Sequence, residues 1–216
     1  MRIISGIYKN HKLESPFSKE THPMGDREKI ALFNMLESGF GSLEGTEVLD
    51  AYAGTGALGL EAISRGAKSV IFVEKSKKTA KILENNLKSL QNRQNSAKFS
   101  LKNSVFPPKN AQNHAQAPDS AQAPKSARTP NFSAKILQKS VESASFPENS
   151  FDIIFADPPY DNFDFAPVFL LASYLKPSGF FVISSPKPLK IPDFPGLSLV
   201  KSRNYANATI SLFQKS

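Results

Sequence analysis

Cysteine and tryptophan are absent from the 216 residues, and histidine occurs three times. Without cysteine there are no disulfide frameworks, zinc ribbons, iron–sulfur ligands or thiol nucleophiles. His11, His22 and His114 have no ligand-like spacing, so no metal is expected. Long apolar runs are missing too. The greasiest stretches, Phe151 to Ala156 and Phe180 to Ile183, are strand-sized and fall short of the roughly 18 residues of a spanning helix. The first residues carry Arg2, Lys9, His11 and Lys12 with no apolar core of a signal peptide, which predicts a cytoplasmic protein with no membrane partner. Nothing resembles an exposed heptad or a strong apolar stripe, so a monomer is expected.

Acidic residues are in shorter supply than basic ones. Nineteen Asp and Glu face 27 Lys and Arg, a formal charge of +8 with an isoelectric point near 9.6. Such a field attracts polyanions, nucleic acid foremost. A chain of this length buries on the order of 70% of its unfolded surface and needs no covalent staple for one domain with a small appendage.

The opening, Met1 to Leu13, has two short apolar stretches around a basic segment and reads as a hairpin, an extension spanning 1–22 ahead of a main domain at 23–216. From Asp26 to Gly39 apolar residues recur at three and four, which predicts a helix with Asp26 as N-cap. Strand and helix then alternate. Glu47 to Asp50 and Ser69 to Glu74 are strands ending in acids; Gly54 to Arg65 and Lys77 to Leu90 are helices. Later come a strand at Phe151 to Asp157, a helix at Phe165 to Leu175 and a strand at Phe180 to Ser184. Ala208 to Phe213 alternates as a final strand paired antiparallel with its neighbour. This is an α/β pattern with a parallel sheet covered on both faces, whose ligands sit outside the carboxyl ends of the strands. Residues 104–133 are rich in Pro, Ala, Gln, Asn and Ser and read as a flexible insertion. Its flanks, Ser96 to Val105 and Ser133 to Val141, resemble each other, and either could supply the third strand.

Two motifs carry chemistry. Val48 to Gly59 contains Gly54, Thr55, Gly56 and Gly59 in a G-x-G-x-x-G arrangement, with Glu74 about twenty residues on. Asp50 stands where a pyrophosphate would approach a dinucleotide site. Like charges about 4 Å apart cost several kcal/mol at an effective dielectric of about 20, so the same carboxylate favours a cofactor bearing an ammonium and a sulfonium. S-adenosylmethionine fits: Gly54 and Gly56 admit its methionine end, Tyr52 and Thr55 lie in the same loop, and Glu74 can accept the ribose hydroxyls. The second motif, Asp157-Pro158-Pro159-Tyr160, ends a buried strand in a rigid turn. Asp157 and the Pro158 carbonyl can accept hydrogen bonds from an exocyclic amine, and Tyr160 offers a face to a flipped base. Acceptors on the amine stabilise the positive charge that develops as its nitrogen is alkylated. Arg2, Lys9, His11 and Lys12, on a hairpin that can reach beside the active site, are the candidate phosphate contacts. Lys75, Lys77, Lys78, Lys81 and Lys88 read instead as one solvated helix face.

Together the glycine loop and Asp-Pro-Pro-Tyr resemble class I S-adenosylmethionine-dependent amino-methyltransferases. More narrowly, Met1 to Gly6, Pro23 to Leu36, Ala57 to Ala67 and Phe72 to Glu74 are similar to the RsmD-type 16S ribosomal RNA guanine-N2 methyltransferases. The resemblance implies a Rossmann-like, mostly parallel seven-stranded sheet whose last strand is antiparallel. It also implies methylation of one guanine, guanine 966 by the family's pattern, in 16S rRNA within the 30S subunit or its assembly intermediate. Carried over by position, Asp50, Gly54, Gly56, Glu74 and Asp157 would hold the cofactor; Asp157, Pro158 and Tyr160 would hold the base, and the Asp26-Arg27 segment would lie near the cofactor and RNA, with Arg27 a substrate contact. Met24-Gly25 and Lys29-Ile30 depart from the family pattern, and neither flank of the insertion ends its strand in the usual acid. The competing functions are an adenine-N6 methyltransferase of DNA or RNA, an NAD-dependent oxidoreductase, and a non-catalytic ribosome-assembly RNA-binding protein.

Overall fold

Alternating apolar segments from Thr46 onward build one seven-stranded sheet, in the order β3-β2-β1-β4-β5-β7-β6. The computed structural model describes residues 1–16, 24–103, 131–161, 163–189, 191–205 and 208–216. Parallel strands β1 (Glu47–Asp50), β2 (Ser69–Val73), β3 (Ser133–Leu137), β4 (Phe151–Ala156) and β5 (Leu175–Pro186) form most of it. β7 (Ala208–Lys215) runs antiparallel between β5 and the edge strand β6 (Leu197–Asn204). The helices are α1 (Asp26–Phe40), α2 (Ala57–Ser64), α3 (Lys77–Asn103) and α4 (Ala166–Leu171). None of the described helices is long and apolar enough to cross a membrane.

Period-two burial divides the sheet residues between two cores. Val48, Val70, Phe72, Ile153, Phe155, Phe180, Val182, Ile210 and Leu212 pack with α1 and α2. Leu49, Val73, Ile154, Phe181, Ile183 and Phe213 pack with α4 and the Phe194 loop. Two-sided burial of β1, β4 and β5 accounts for their continuous apolar runs, as a central parallel strand requires.

Several boundaries differ from the sequence expectation. Gly25, not Asp26, is the N-cap of α1, and the Glu28 carboxylate accepts the Gly25 N–H in return. α2 begins at Ala57 rather than Gly54, because Gly56 holds a left-handed φ of 88° and ends the loop. α3 runs past Leu90 to Asn103, since 91–103 contains no Gly or Pro to stop it. That settles the third strand: the first flank is helical and Ser133–Leu137 is β3, paired with β2. α4 begins at Ala166 and ends at Leu171, and Ala172–Tyr174 continue as a 3₁₀ turn. β5 already starts at Leu175, and 176–179 bulge out before Phe180 resumes pairing with Ile153. β6 was not anticipated. Nearly all of it is exposed, and a register shift between Leu199 and Lys201 breaks the alternation that would reveal it. The 104–133 insertion lies outside the described residues except for its last three positions, of which Ser133 opens β3.

The N-terminal residues are tied to the main sheet layer rather than hanging from it. Arg2 and Lys12 form an antiparallel bridge, and Ile3, Tyr8 and Leu13 are buried in the α1–α2 core. The fully buried Glu61 of α2 accepts the Ile4 and Ser5 N–H groups at 2.6 and 2.9 Å, and Ser64 takes those of Ile7 and Tyr8. Lys29 of α1, also fully buried, donates to the Arg2 carbonyl at 2.6 Å.

Candidate active site

Asp50 closes β1 and Asp157 follows β4 directly; Asp50 pairs with Phe155, two residues before Asp157. Parallel neighbours lie about 4.8 Å apart, so both motifs open onto one carboxyl edge. On the α1 face of that edge, alternation places Asp157 with Phe155 and Ser184 with Val182, beside Ile210 of β7. α1 runs back across this face: Gly39 and Phe40 sit on Phe180 near the amino end of β5. Its first turn therefore lies over the carboxyl edge.

The glycines have different tasks. Gly54 has a φ of 53° and nothing within 4 Å of where a Cβ would project, an open cradle at the end of β1. At Gly56 a Cβ would strike Leu83 of α3, and at Gly59 it would strike the Phe72 ring, so those two permit close helix packing. Glu74 joins the loop to β2: its carboxylate accepts the Gly54 N–H at 2.9 Å and the Ser76 N–H at 2.7 Å. Each oxygen keeps a lone pair for a further donor. Asp50 is 2% exposed and accepts the Gly59 N–H at 2.9 Å, so it also anchors the first turn of α2. Thr55 is buried with its carbonyl held by the Asn86 side chain at 3.0 Å. Tyr52 is half-buried, and its phenol is pushed up to about 12 by burial and by the charges of Glu142 and Asp164.

In the second motif Pro158 is buried, Pro159 exposed, and Asp157 and Tyr160 half-buried. Ser184, at the end of β5, connects them: its hydroxyl is hydrogen-bonded to the Tyr160 hydroxyl and to the Asp157 carboxylate. The Tyr160 ring is thus pinned at its far end, with its phenol raised to about 12 by burial and the Asp157 charge. Ser184 carries no motif of its own and was missed in the sequence; only its position at a strand end marked it.

Electrostatically the edge is one-sided. Burial drives Asp50 up to about 7; the Gly59 bond opposes this, and the Asp157 and Glu74 charges add to it. Burial, opposed by Ser184 and aided by the Glu28 charge, lifts Asp157 to about 6. Glu74 is raised by burial too, against its two backbone bonds and the Lys75 charge. None of these acids forms a salt bridge among the described residues. Clustered, desolvated carboxylates of this kind mark a functional site, and they suit a ligand that brings positive charge or N–H groups.

The basic candidates separate. Arg27 is exposed on the first turn of α1, near the edge. Arg2 is ion-paired with Asp26 of the same turn at 3.1 Å. Lys12 precedes Leu13 and Glu14, whose N–H is bonded to the same Asn86 that holds Thr55. Lys9 sits at the hairpin tip beside Ser64, the last residue of α2, at the opposite edge of the sheet from Asp157. On α3, Lys81 and Lys88 pair with Glu84 in solvent, as a solvated face would. No acid closes β3 itself, but Glu142 stands in the 3₁₀ turn Val141–Ser143 that follows, near enough to act on Tyr52.

A doubly covered sheet with an antiparallel penultimate strand, a glycine cradle after β1, an acid after β2 and Asp-Pro-Pro-Tyr after β4 defines the class I S-adenosylmethionine-dependent methyltransferases. Comparison with known proteins narrows this. The model of the family Conserved hypothetical protein 95 matches residues 1–118 and 125–214. Ribosomal RNA small subunit methyltransferase D of Haemophilus influenzae is 30% identical over 99% of this chain and 93% of its own length. The chain belongs to this family, the RsmD-type ribosomal RNA methyltransferases. Among solved structures, the yhhF protein of Escherichia coli superposes with a TM-score of 0.69 at 23% identity, over 100% of this chain and 98% of its own. The Thermus thermophilus 16S rRNA N2 G1207 methyltransferase RsmC, solved with AdoMet and guanosine, gives 0.59 at 21% identity over 93% of this chain and 45% of its own. Both share the fold.

Proposed function

We propose that this protein transfers a methyl group from S-adenosylmethionine to the exocyclic N2 amine of one guanine in 16S rRNA, guanine 966 by family pattern, acting in the cytoplasm on the 30S subunit or its precursor. The observation that carries the reading is the adjacency of the Gly54 cradle and the Asp157–Ser184–Tyr160 cluster at the ends of paired strands β1 and β4.

The residues fit this cofactor. Gly54 leaves room for close approach of a ligand to the backbone, Asp50 and Asp157 supply negative charge for its cationic end, and Glu74 retains acceptor capacity for a diol. Glu142, whose charge reaches Tyr52, is the candidate acceptor for the amine of the cofactor's aromatic ring. When bound, S-adenosylmethionine supplies an electrophilic methyl on a sulfonium. The protein supplies position and charge. Tyr160, pinned through Ser184, holds a ring plane for the base. Asp157 and the Pro158 carbonyl accept from the amine N–H groups, which favours a pyramidal nitrogen and stabilises its developing positive charge. At neutral pH Asp157, near 6, is mostly ionised and can take the proton the alkylated amine sheds. Orientation supplies much of the remaining acceleration. Arg27 and Lys12 are suited to phosphate contacts beside the edge; the Arg2 guanidinium is shared with Asp26.

The test is methyl transfer from labelled S-adenosylmethionine to undermethylated 30S subunits and to protein-free 16S RNA, with mass analysis of the digested nucleosides. N2-methylguanosine is the expected product, and the ratio between the substrates reads whether RNA alone suffices. N6-methyladenosine as the sole product would replace guanine by adenine. Saturable RNA binding with bound cofactor and no methyl incorporation would leave a binding protein.

A further inference from the structure

The first turn of α1 brings one more acid to the edge. Glu28 is half-buried, and its Oε2 is fixed by the Gly25 N–H at 2.7 Å. Its Oε1 has no partner among the described residues, and no cation pairs with it, although Asp26 in the same turn holds both Arg2 and Lys29. α1 overlies the face on which Asp157 and Ser184 lie, and the Glu28 charge acts on Asp157, Tyr160 and Tyr205. The mouth of the base site thus holds two carboxylates that form no ion pair among the described residues.

A guanine presents two adjacent groups of donors on its pairing edge, the 2-amino N–H pair and the ring N1–H. Adenine presents an amine beside an unprotonated, accepting N1. Two neighbouring carboxylates match the first edge and repel the second. We propose that Glu28 is the residue that selects the base, its free carboxylate oxygen accepting the N1–H of guanine while Asp157 accepts from the 2-amino group. This rests on the guanine-N2 reading above. Sites built around a substrate donor reject analogues lacking it by large factors, because the buried acceptor is left unpaired.

The analogue that probes the contact is 2-aminopurine, which keeps the 2-amino group, lacks the 6-oxygen and has an accepting N1; the Glu28 variants separate the N1 effect from that of the missing oxygen. The experiment compares methyl transfer to 30S subunits reconstituted on 16S RNA carrying guanine or 2-aminopurine at the mapped target, for wild type, Glu28→Gln and Glu28→Ala. Gln at this helix position preserves the reciprocal bond to Gly25, and S-adenosylmethionine affinity serves as the control for an intact site. Wild type should prefer guanine by about 10²-fold or more. Glu28→Gln, whose amide can donate to the accepting N1, should narrow that ratio at least about tenfold; Glu28→Ala should narrow it by lowering the guanine rate alone. An unchanged ratio in both variants, with cofactor affinity retained, overturns the role of Glu28. Failure of wild type to form N2-methylguanosine overturns the guanine reading itself, which the same assay reports separately.

Discussion

The two edges of the sheet treat their acids in opposite ways. At the amino edge Lys176 lies between Glu47 and Asp152, at 2.9 and 3.1 Å, and Arg65 links Glu61 and Glu37, at 2.9 and 2.7 Å. At the carboxyl edge Asp50, Glu74, Asp157 and Glu28 gather with no salt bridge among the described residues, and burial raises the first three. Paired acids serve the fold. Unpaired, desolvated ones cost stability and are retained where a ligand completes them.

Each edge can be broken on its own. Asp157→Ala should have the largest effect, lowering methyl transfer about 10²–10³-fold, the usual loss on removing one transition-state acceptor. S-adenosylmethionine affinity, measured by calorimetry, should change far less; equal losses in both would contradict a role centred on the amine. Arg65→Met attacks the other edge. It takes from the fully buried Glu61 its guanidinium partner, leaving the Ile4 and Ser5 N–H groups, and should cost about 3 kcal/mol in denaturant unfolding, while kcat/KM of the surviving folded enzyme stays near wild type.

Asp50→Asn sharpens the comparison through pH. The Asp50 carboxyl titrates near its ordinary value when unfolded and near 7 when folded, so between about pH 4 and 7 the folded state binds the extra proton and stability falls as pH rises. Asn removes this term and can still accept the Gly59 N–H. The melting temperature of the variant should therefore gain on wild type across that window, by the equivalent of roughly 3–4 kcal/mol, and level off above it. A difference constant with pH would show Asp50 to be unperturbed. The smallest effects concern the surface cations. Arg27→Ala should reduce the salt dependence of RNA binding by about one unit of slope, whereas Lys9→Ala, at the far edge, should leave it unchanged. A loss at Lys9 equal to that at Arg27 would mean the RNA wraps the hairpin tip.

The parallel half of the fold was legible because buried strands write continuous apolar runs and the loops between them write Gly, Pro and acids. Asp50, Gly54, Glu74, Asp157 and Tyr160 all fell at strand ends, where sheet geometry alone collects them. What escaped notice depended on partners distant in sequence. Ser184 matters because β5 lies beside β4, and Glu28 because α1 crosses above both; neither residue type is diagnostic by itself. Glu61 fell inside the helix expected from Gly54 to Arg65 with no role marked for it, yet its carboxylate holds the backbone of Ile4 and Ser5. Strand β6 was hidden by its exposure and its bulge, and the helical fate of residues 91–103 by a strand-like flank.

The docking of the N-terminal residues on α2 and α3 has a consequence for synthesis. Ile4 meets Glu61 across 57 positions and Glu14 meets Asn86 across 72. At about 5–20 residues per second, the first segment leaves the ribosome roughly 3–14 s before its partners emerge. Through that interval Ile3, Tyr8 and Leu13 have no core to enter, so the opening of this chain is a natural client for whatever shields nascent apolar side chains.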